Sequence, residues 1–170
     1  VHLGAPGQAA PNVTVPFADY IKNVASSEIY PTWEPAAIRA NVLAQISFAL
    51  NRVYTQFYRS QGYDFDITNT TAYDQKFIYG RTIYENIARI VDSVFVNYIS
   101  RPGILQPLFT SYCNGTTATC NGLSQWGSKY LADEGYSPIE ILRYYYGNDI
   151  FINAATSVSG VPASWPGAAL

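Results

Sequence analysis

Phe17, Ile21, Val24 and Ala25 recur at helical spacing over residues 16–29, and the run stops at Ile29-Tyr30-Pro31. That pattern predicts a first helix with one face turned to a core. Pro31-Thr32-Trp33-Glu34-Pro35 reads as a turn, with Thr32 as the N-cap and Pro35 in the first turn of a second helix. Ile38, Val42, Ile46, Ala49, Leu50, Val53 and Phe57 make one apolar stripe that carries this helix to about Tyr58. Arg39, Asn51 and Arg52 fall on its opposite face.

Between Gly62 and Tyr73 the period changes. Tyr63, Phe65 and Ile67 alternate with Asp64, Asp66 and Thr68, which predicts a short strand with both aspartates on its solvated face. Ile83, Ile87, Ile90, Val91, Val94, Phe95 and Tyr98 predict a third long amphipathic helix, broken by Arg101-Pro102-Gly103. Leu105 to Tyr112 reads as a buried strand. Gly122-Leu-Ser-Gln-Trp-Gly127 opens a helix that ends near Gly135, and Ser137-Pro-Ile-Glu140 is a capping box that launches one more helix to Tyr146. These elements predict an α+β, helix-rich domain with long amphipathic helices packed around a small sheet.

The ends read differently. Residues 1–14 are rich in Gly, Ala and Pro and predict an extended arm. Residues 15–152 form the domain. The Ser-, Pro- and Gly-rich stretch 153–170 reads as a linker toward a further domain. The start at Val1 and the lack of methionine fit a processed or excised segment.

With 170 residues the chain can form one domain with a real core. Net charge is −2, from 12 acidic and 10 basic residues, so the sequence lacks the basic footprint of a nucleic-acid binder. No apolar run reaches spanning length, so membrane insertion is not expected. Charged residues make up only 13%, and there are 15 tyrosines. Tyrosine and tryptophan pair an apolar ring with a polar tip, which suits stacking on sugars as well as packing in a core.

Two residue sets carry candidate chemistry. Glu28 lies four positions past Val24, on the face the first helix turns inward. A carboxylate there is paired, protonated or set in a cleft, where it would be a general acid; otherwise it is an exposed helix-end glutamate. Cys113 and Cys120 are the only cysteines and His2 the only histidine. One cysteine pair cannot complete a four-ligand zinc site, so the expectation is a small-loop disulfide, no metal, no cofactor, and an oxidising, extracytoplasmic setting.

Three blocks carry a resemblance. They are Val15 to Glu28 with Ala36 to Leu50; Tyr63 to Ile67 with Tyr73 to Tyr79; and Gly122 to Gly127 with Gly135 to Tyr146. In order and spacing they resemble the SpoIID/LytB family of bacterial cell-wall proteins, and within it the central domain of SleC-type clostridial spore cortex-lytic enzymes. The resemblance implies a SpoIID-like fold and lytic transglycosylase action on peptidoglycan, with Glu28 at the position of the family's catalytic glutamate. It also implies glycan strands as partner, an activating protease or an adjacent peptidoglycan-binding domain beside them, and a location in the spore cortex or coat or the cell wall. Two departures stand out. Ile46 replaces the family's second-helix arginine, and Thr119-Cys120 replaces a His-Gly, which removes groups that could hold a metal. The alternative function is an inactive peptidoglycan-binding or amidase-enhancing module.

A transglycosylase needs one carboxyl, protonated at working pH, and an apolar, partly dry pocket. Val24, Ile29 and Tyr30 would supply that pocket. Ser124, Gln125 and Trp126 are the expected donors and stacking ring for substrate, sharing one groove with Glu28. Gln75 and Tyr79, with Asp74, are weaker substrate-binding candidates. Capping, surface-turn and core-packing roles compete for each of these residues.

Overall fold

The structure is a computed structural model and describes residues 1–95 and 97–154. Five helices and two small two-stranded sheets make one helix-rich α+β domain, as expected. Helices α1 (Phe17–Glu28), α2 (Pro35–Tyr54), α3 (Glu85–Val94), α4 (Gln125–Asp133) and α5 (Pro138–Tyr146) alternate with β1 (Asn97–Ser100), β2 (Tyr112–Cys113), β3 (Leu123–Ser124) and β4 (Phe151–Ala154). Strand β1 pairs antiparallel with β4, and β2 pairs parallel with β3.

Helix α2 is the axis of the domain. The other four helices and β1 all pack on it, and every residue from Ala40 to Asn51 is buried. The single stripe expected from the sequence is therefore a correction: a helix covered on all sides has no solvent face at its centre. Buried polar groups need partners, and three side chains of α2 find them in different segments. Asn41 Nδ2 donates to Ser128 Oγ at 2.8 Å, Ser47 Oγ accepts from the Ile99 N–H at 2.6 Å, and Asn51 Nδ2 donates to the Pro107 carbonyl at 2.9 Å. Asn51, expected on a polar face, is thus a buried latch. Arg52 is half-buried, over the rings of Phe57 and Phe109.

The helix ends depart from expectation by a few residues. Pro35 is at the start of α2, but Glu34 rather than Thr32 is the N-cap, without a side-chain cap. Helix α2 stops at Tyr54 instead of Tyr58. Gln56 turns to φ 51°, and its N–H and that of Phe57 return to the carbonyls of Val53 and Arg52. These two bonds satisfy the last carbonyls as a left-handed cap does. Helix α3 stops at Val94 because the chain turns into β1, where Tyr98 and Ile99 pair with β4 and are buried. The predicted capping box at Ser137 and Glu140 is present with both reciprocal bonds.

Neither isolated strand expectation survives. Residues 62–73 form a loop that keeps the alternation only as far as Ile67, with Phe65 and Ile67 buried but Thr68 buried as well. Asp64 and Asp66 face outward onto Arg59. Its one ladder contact is a bridge from Thr68 to His2. Leu105 to Tyr112 is mostly irregular, with Leu105 and Phe109 exposed. Thr110 instead ties this segment to α2 by donating to the Ala44 carbonyl at 2.6 Å. Residues 1–13 fold back, with His2 stacked on Phe65. Residues 155–170 of the expected linker lie outside the described residues. No helix among the described residues is long and apolar enough to cross a membrane.

Candidate active site

Glu28 is the last residue of α1, and its side chain points at α2 rather than at solvent. Tyr112 donates its hydroxyl to Glu28 Oε1 at 2.6 Å, and Gln45 Nε2 donates to the same oxygen at 3.0 Å. The backbone N–H of Lys76 reaches Oε2 at 3.3 Å. Burial opposes the charged form and raises the Glu28 pKa from 4.5 to about 7. The donors from Tyr112, Lys76 and Gln45, together with the Lys76 charge, pull the other way and lose. The result is a carboxyl that can hold or release a proton near neutrality.

The carboxyl opens onto a cleft of about 370 Å³ whose walls include Ser27, Lys76, Tyr112, Asn114 and Gln125. Four segments meet there. Helix α1 brings Glu28. The loop after Ile67 brings Asp74 and Lys76, with Gln75 behind them. Strand β2 brings Tyr112 and Cys113, and the start of α4 brings Gln125.

The parallel β2–β3 pair sets the spacing of the last two. Tyr112 lies opposite Leu123 and Cys113 opposite Ser124, so the chain that supplies Tyr112 returns beside itself to supply Gln125. Glycine is needed at Gly122, where the chain re-enters the strand pair, and gives close packing at Gly127 in the first turn of α4. A Cβ on Gly122 would collide with the Ser111 carbonyl, and one on Gly127 with the Tyr145 hydroxyl. The loop between the strands is closed by the Cys113–Cys120 disulfide, as expected. Cys113, Asn114 and Ala118 line the cleft from this loop.

The loop after Ile67 is fixed by Asp74. Its Oδ1 accepts from Arg52 Nε at 2.8 Å, and its Oδ2 accepts from Tyr58 at 2.6 Å and from the Thr68 N–H and hydroxyl at 2.9 and 2.7 Å. The next residue, Gln75, is fully buried. It accepts from the Tyr20 hydroxyl at 2.9 Å and donates to the Gln45 carbonyl at 3.0 Å. This chain of bonds holds Gln45 and the Lys76 N–H against Glu28.

The expected site residues separate accordingly. Gln125 shares the cleft with Glu28 and is buried, and its Nε2 has no partner. Ser124 is the N-cap of α4, accepting from the Gly127 N–H at 2.9 Å, so its oxygen is engaged with the backbone. Trp126 stands off the cleft in an aromatic cluster with Tyr30 and Trp33. Gln75 cannot touch substrate, because it is enclosed behind the cleft wall. Tyr79 is an exposed ring outside the cleft walls, against Phe77. Val24 and Ile29 are buried beside Glu28 as expected, whereas Tyr30 is exposed. Tyr112, Gln45 and Lys76 are the partners that sequence reasoning missed. Gln45 alone left a signal, as a glutamine inside an otherwise apolar stretch of α2.

The model of the SpoIID family, Stage II sporulation protein, matches residues 7–94, just over half of the chain. The chain belongs to the SpoIID family. No curated protein matches it. The matched segment of this SpoIID domain holds Glu28, Gln45 and the Asp74–Lys76 loop, while Tyr112, the disulfide loop and Gln125 lie beyond it. Among the described residues no three His, Cys, Asp or Glu side chains cluster as metal ligands. Both cysteine sulfurs are taken by the disulfide, so the donor set does not fit a metal centre.

Proposed function

We propose that this domain is a lytic transglycosylase that cleaves the MurNAc–GlcNAc bond of peptidoglycan glycan strands, with Glu28 as its acid and base. The observation that carries the reading is the Glu28 carboxyl, balanced near neutral pH at the wall of a cleft. In the first half-reaction Glu28 gives its proton to the glycosidic oxygen as the bond to the muramic C1 breaks. The resulting carboxylate takes the proton of the muramic C6 hydroxyl, whose oxygen bonds to C1. A 1,6-anhydromuramic end forms, Glu28 regains its proton, and water takes no part.

A two-carboxylate glycosidase would need a second free acid flanking the bond. The other acidic residue of the cleft wall, Asp74, has its side chain enclosed and both carboxylate oxygens committed to Arg52, Tyr58 and Thr68, which favours the one-carboxyl route. A positioned acid–base group supplies about 10²–10⁴-fold. Donors on the cleft wall such as Gln125 would stabilise the charge that develops on the sugar. The disulfide fits action outside the cytoplasm, in the spore cortex or coat or the cell wall. A SleC-type cortex-lytic role, with an activating protease or an adjacent peptidoglycan-binding domain, extends the same reading.

The rival reading is an inactive peptidoglycan-binding or amidase-enhancing module. Ile46 favours it: the position of the family arginine is fully buried and apolar. A digest separates the two. Incubation with spore cortex peptidoglycan should release fragments with anhydromuramic ends by mass spectrometry, and Glu28→Gln should release none. Glycan binding without such ends, in both proteins, would make the domain a binding module.

A further inference from the structure

Tyr30, Trp126 and Tyr130 form a run of neighbouring rings. Ring centroids are 5.6 Å apart from Tyr30 to Trp126 and 6.2 Å apart from Trp126 to Tyr130. Trp33 backs the run from the buried side, 5.1 Å from Trp126 in an edge-on contact. The two outer rings face solvent, with Tyr30 53% and Tyr130 56% exposed. Rings held this way present fixed apolar surface at little further loss of side-chain freedom.

The run is tied to the site through the backbone. Tyr30 follows Glu28 by two residues, and Trp126 follows the cleft residue Gln125. The Trp126 N–H also donates at 3.1 Å to the carbonyl of Asn114, another cleft residue. We infer that the Tyr30–Trp126–Tyr130 run is a glycan-binding subsite that carries the sugar chain beyond the scissile bond. This inference rests on the proposed action on glycan strands.

Three features favour a sugar chain as the occupant. Neighbouring ring contacts from Tyr30 through Trp126 to Tyr130 offer aromatic surface to more than one sugar. Each outer ring ends in a hydroxyl, so apolar sugar faces and their equatorial polar groups both find partners. The charge beside the run is cancelled, because Lys129, 5.3 Å from the Tyr130 centroid, is paired with Asp133 at 2.5 Å. The fitting ligand is therefore an uncharged stretch of β-1,4-linked N-acetylated sugars.

Binding is measured by calorimetry in the Glu28→Gln background, with a β-1,4-linked N-acetylglucosamine hexamer and with peptidoglycan glycan strands as probes. Cleavage is followed separately in the Glu28 protein. Tyr30→Ala and Tyr130→Ala should each weaken strand binding about 3- to 10-fold, the scale of one aromatic contact. Tyr30→Phe and Tyr130→Phe should restore most of it, and circular dichroism checks that each variant is folded. Strand binding equal to the parent in both folded alanine variants overturns the subsite and leaves the cleavage reading standing. Parent protein that cleaves strands but shows no gain in affinity from dimer to hexamer also overturns it. Absence of anhydromuramic ends from the Glu28 protein, by contrast, removes the cleavage reading itself. Weakened hexamer binding with unchanged strand binding points to adventitious chitin-like binding and overturns the inference as well.

Discussion

Tyr112 and Glu28 lie 84 positions apart in the chain, yet the tyrosine hydroxyl donates to Glu28 Oε1 at 2.6 Å. Glu28 raises the cost of ionising Tyr112, whereas the Tyr112 hydroxyl lowers the cost of ionising Glu28. Burial, then the neighbouring Glu28 charge, holds Tyr112 well above the usual tyrosine range, so it stays a donor. Its donated proton is the first of the bonds that restrain the upward push of burial on Glu28.

Replacing Tyr112 with Phe removes that restraint while keeping the ring. The Glu28 pKa should rise above about 7, moving the alkaline limb of the pH–rate profile up by about one pH unit. Turnover at neutral pH should fall, since the carboxylate would be a less stable intermediate base. A pH–rate profile superimposable on that of the parent would show that the hydroxyl contact does not set the proton affinity of Glu28.

Glu28→Gln keeps the shape and removes the proton cycle. Cleavage should drop by about 10²–10⁴-fold, or about 3–5 kcal/mol of barrier. The same change has a stability signature. The folded pKa of about 7 lies above the ordinary carboxyl value of 4.5, so between these pH values the native state binds a proton that the unfolded chain has lost. The stabilisation is complete below about pH 4.5 and fades as pH rises through 7. It amounts to at most about 3 kcal/mol for a fully enclosed group, and less for half-buried Glu28. Melting curves of the parent should therefore fall relative to those of Glu28→Gln between pH 5 and 8. A constant difference across that range would contradict a raised Glu28 pKa.

Local signals were legible and long-range ones were not. The apolar spacing from Phe17 to Ala25 and the Ser137–Glu140 capping box involve neighbours within one or two turns, and both elements formed as read. Glu28 was legible because its own helix aims it inward. The stripe on α2 misled because amphipathic spacing cannot report that α4, α5 and β1 cover the other side. Alternation from Tyr63 to Thr68 reported that Phe65 and Ile67 are buried, but not that Thr68 is buried against Asp74 or whether a strand partner exists. Tyr112 and the Lys76 N–H could not be found from sequence, since only the β2–β3 return and the Asp74 anchor bring them to Glu28. Gln125 was separable from Ser124 and Trp126 only by direction, because successive residues at a helix start point to different sides.

Asp74 tests whether that anchor matters. Its side chain is wholly enclosed and is ion-paired with Arg52 at 2.8 Å. Asp74→Ala would leave Arg52 and Tyr58 without their partner, a change of about 3–5 kcal/mol for a buried pair. Chemical denaturation should show the loss. Asp74→Asn, which keeps the size, should be milder in stability but should still loosen the Lys76 N–H and shift the pH profile of cleavage. Denaturation midpoints within experimental error of the parent for Asp74→Ala would mean the loop is held by other contacts.

The disulfide provides a test of the opposite wall. The Cys113–Cys120 bridge closes a short loop, with a sequence separation of 7, for which the chain-entropy model gives about 2–3 kcal/mol. Its placement makes the loss more than a matter of stability. Cys113 follows Tyr112 directly, and Cys113, Asn114 and Ala118 line the cleft, so freeing the loop loosens both the donor to Glu28 and the wall opposite it. Cys113→Ser with Cys120→Ser should lower the melting temperature and raise KM for glycan strands, and dithiothreitol should do the same to the parent but not to the double variant. Assays well below the melting temperature separate the two effects. A double variant that is less stable but cleaves with parental KM and kcat would confine the bridge to stability and show that the wall holds its shape without it.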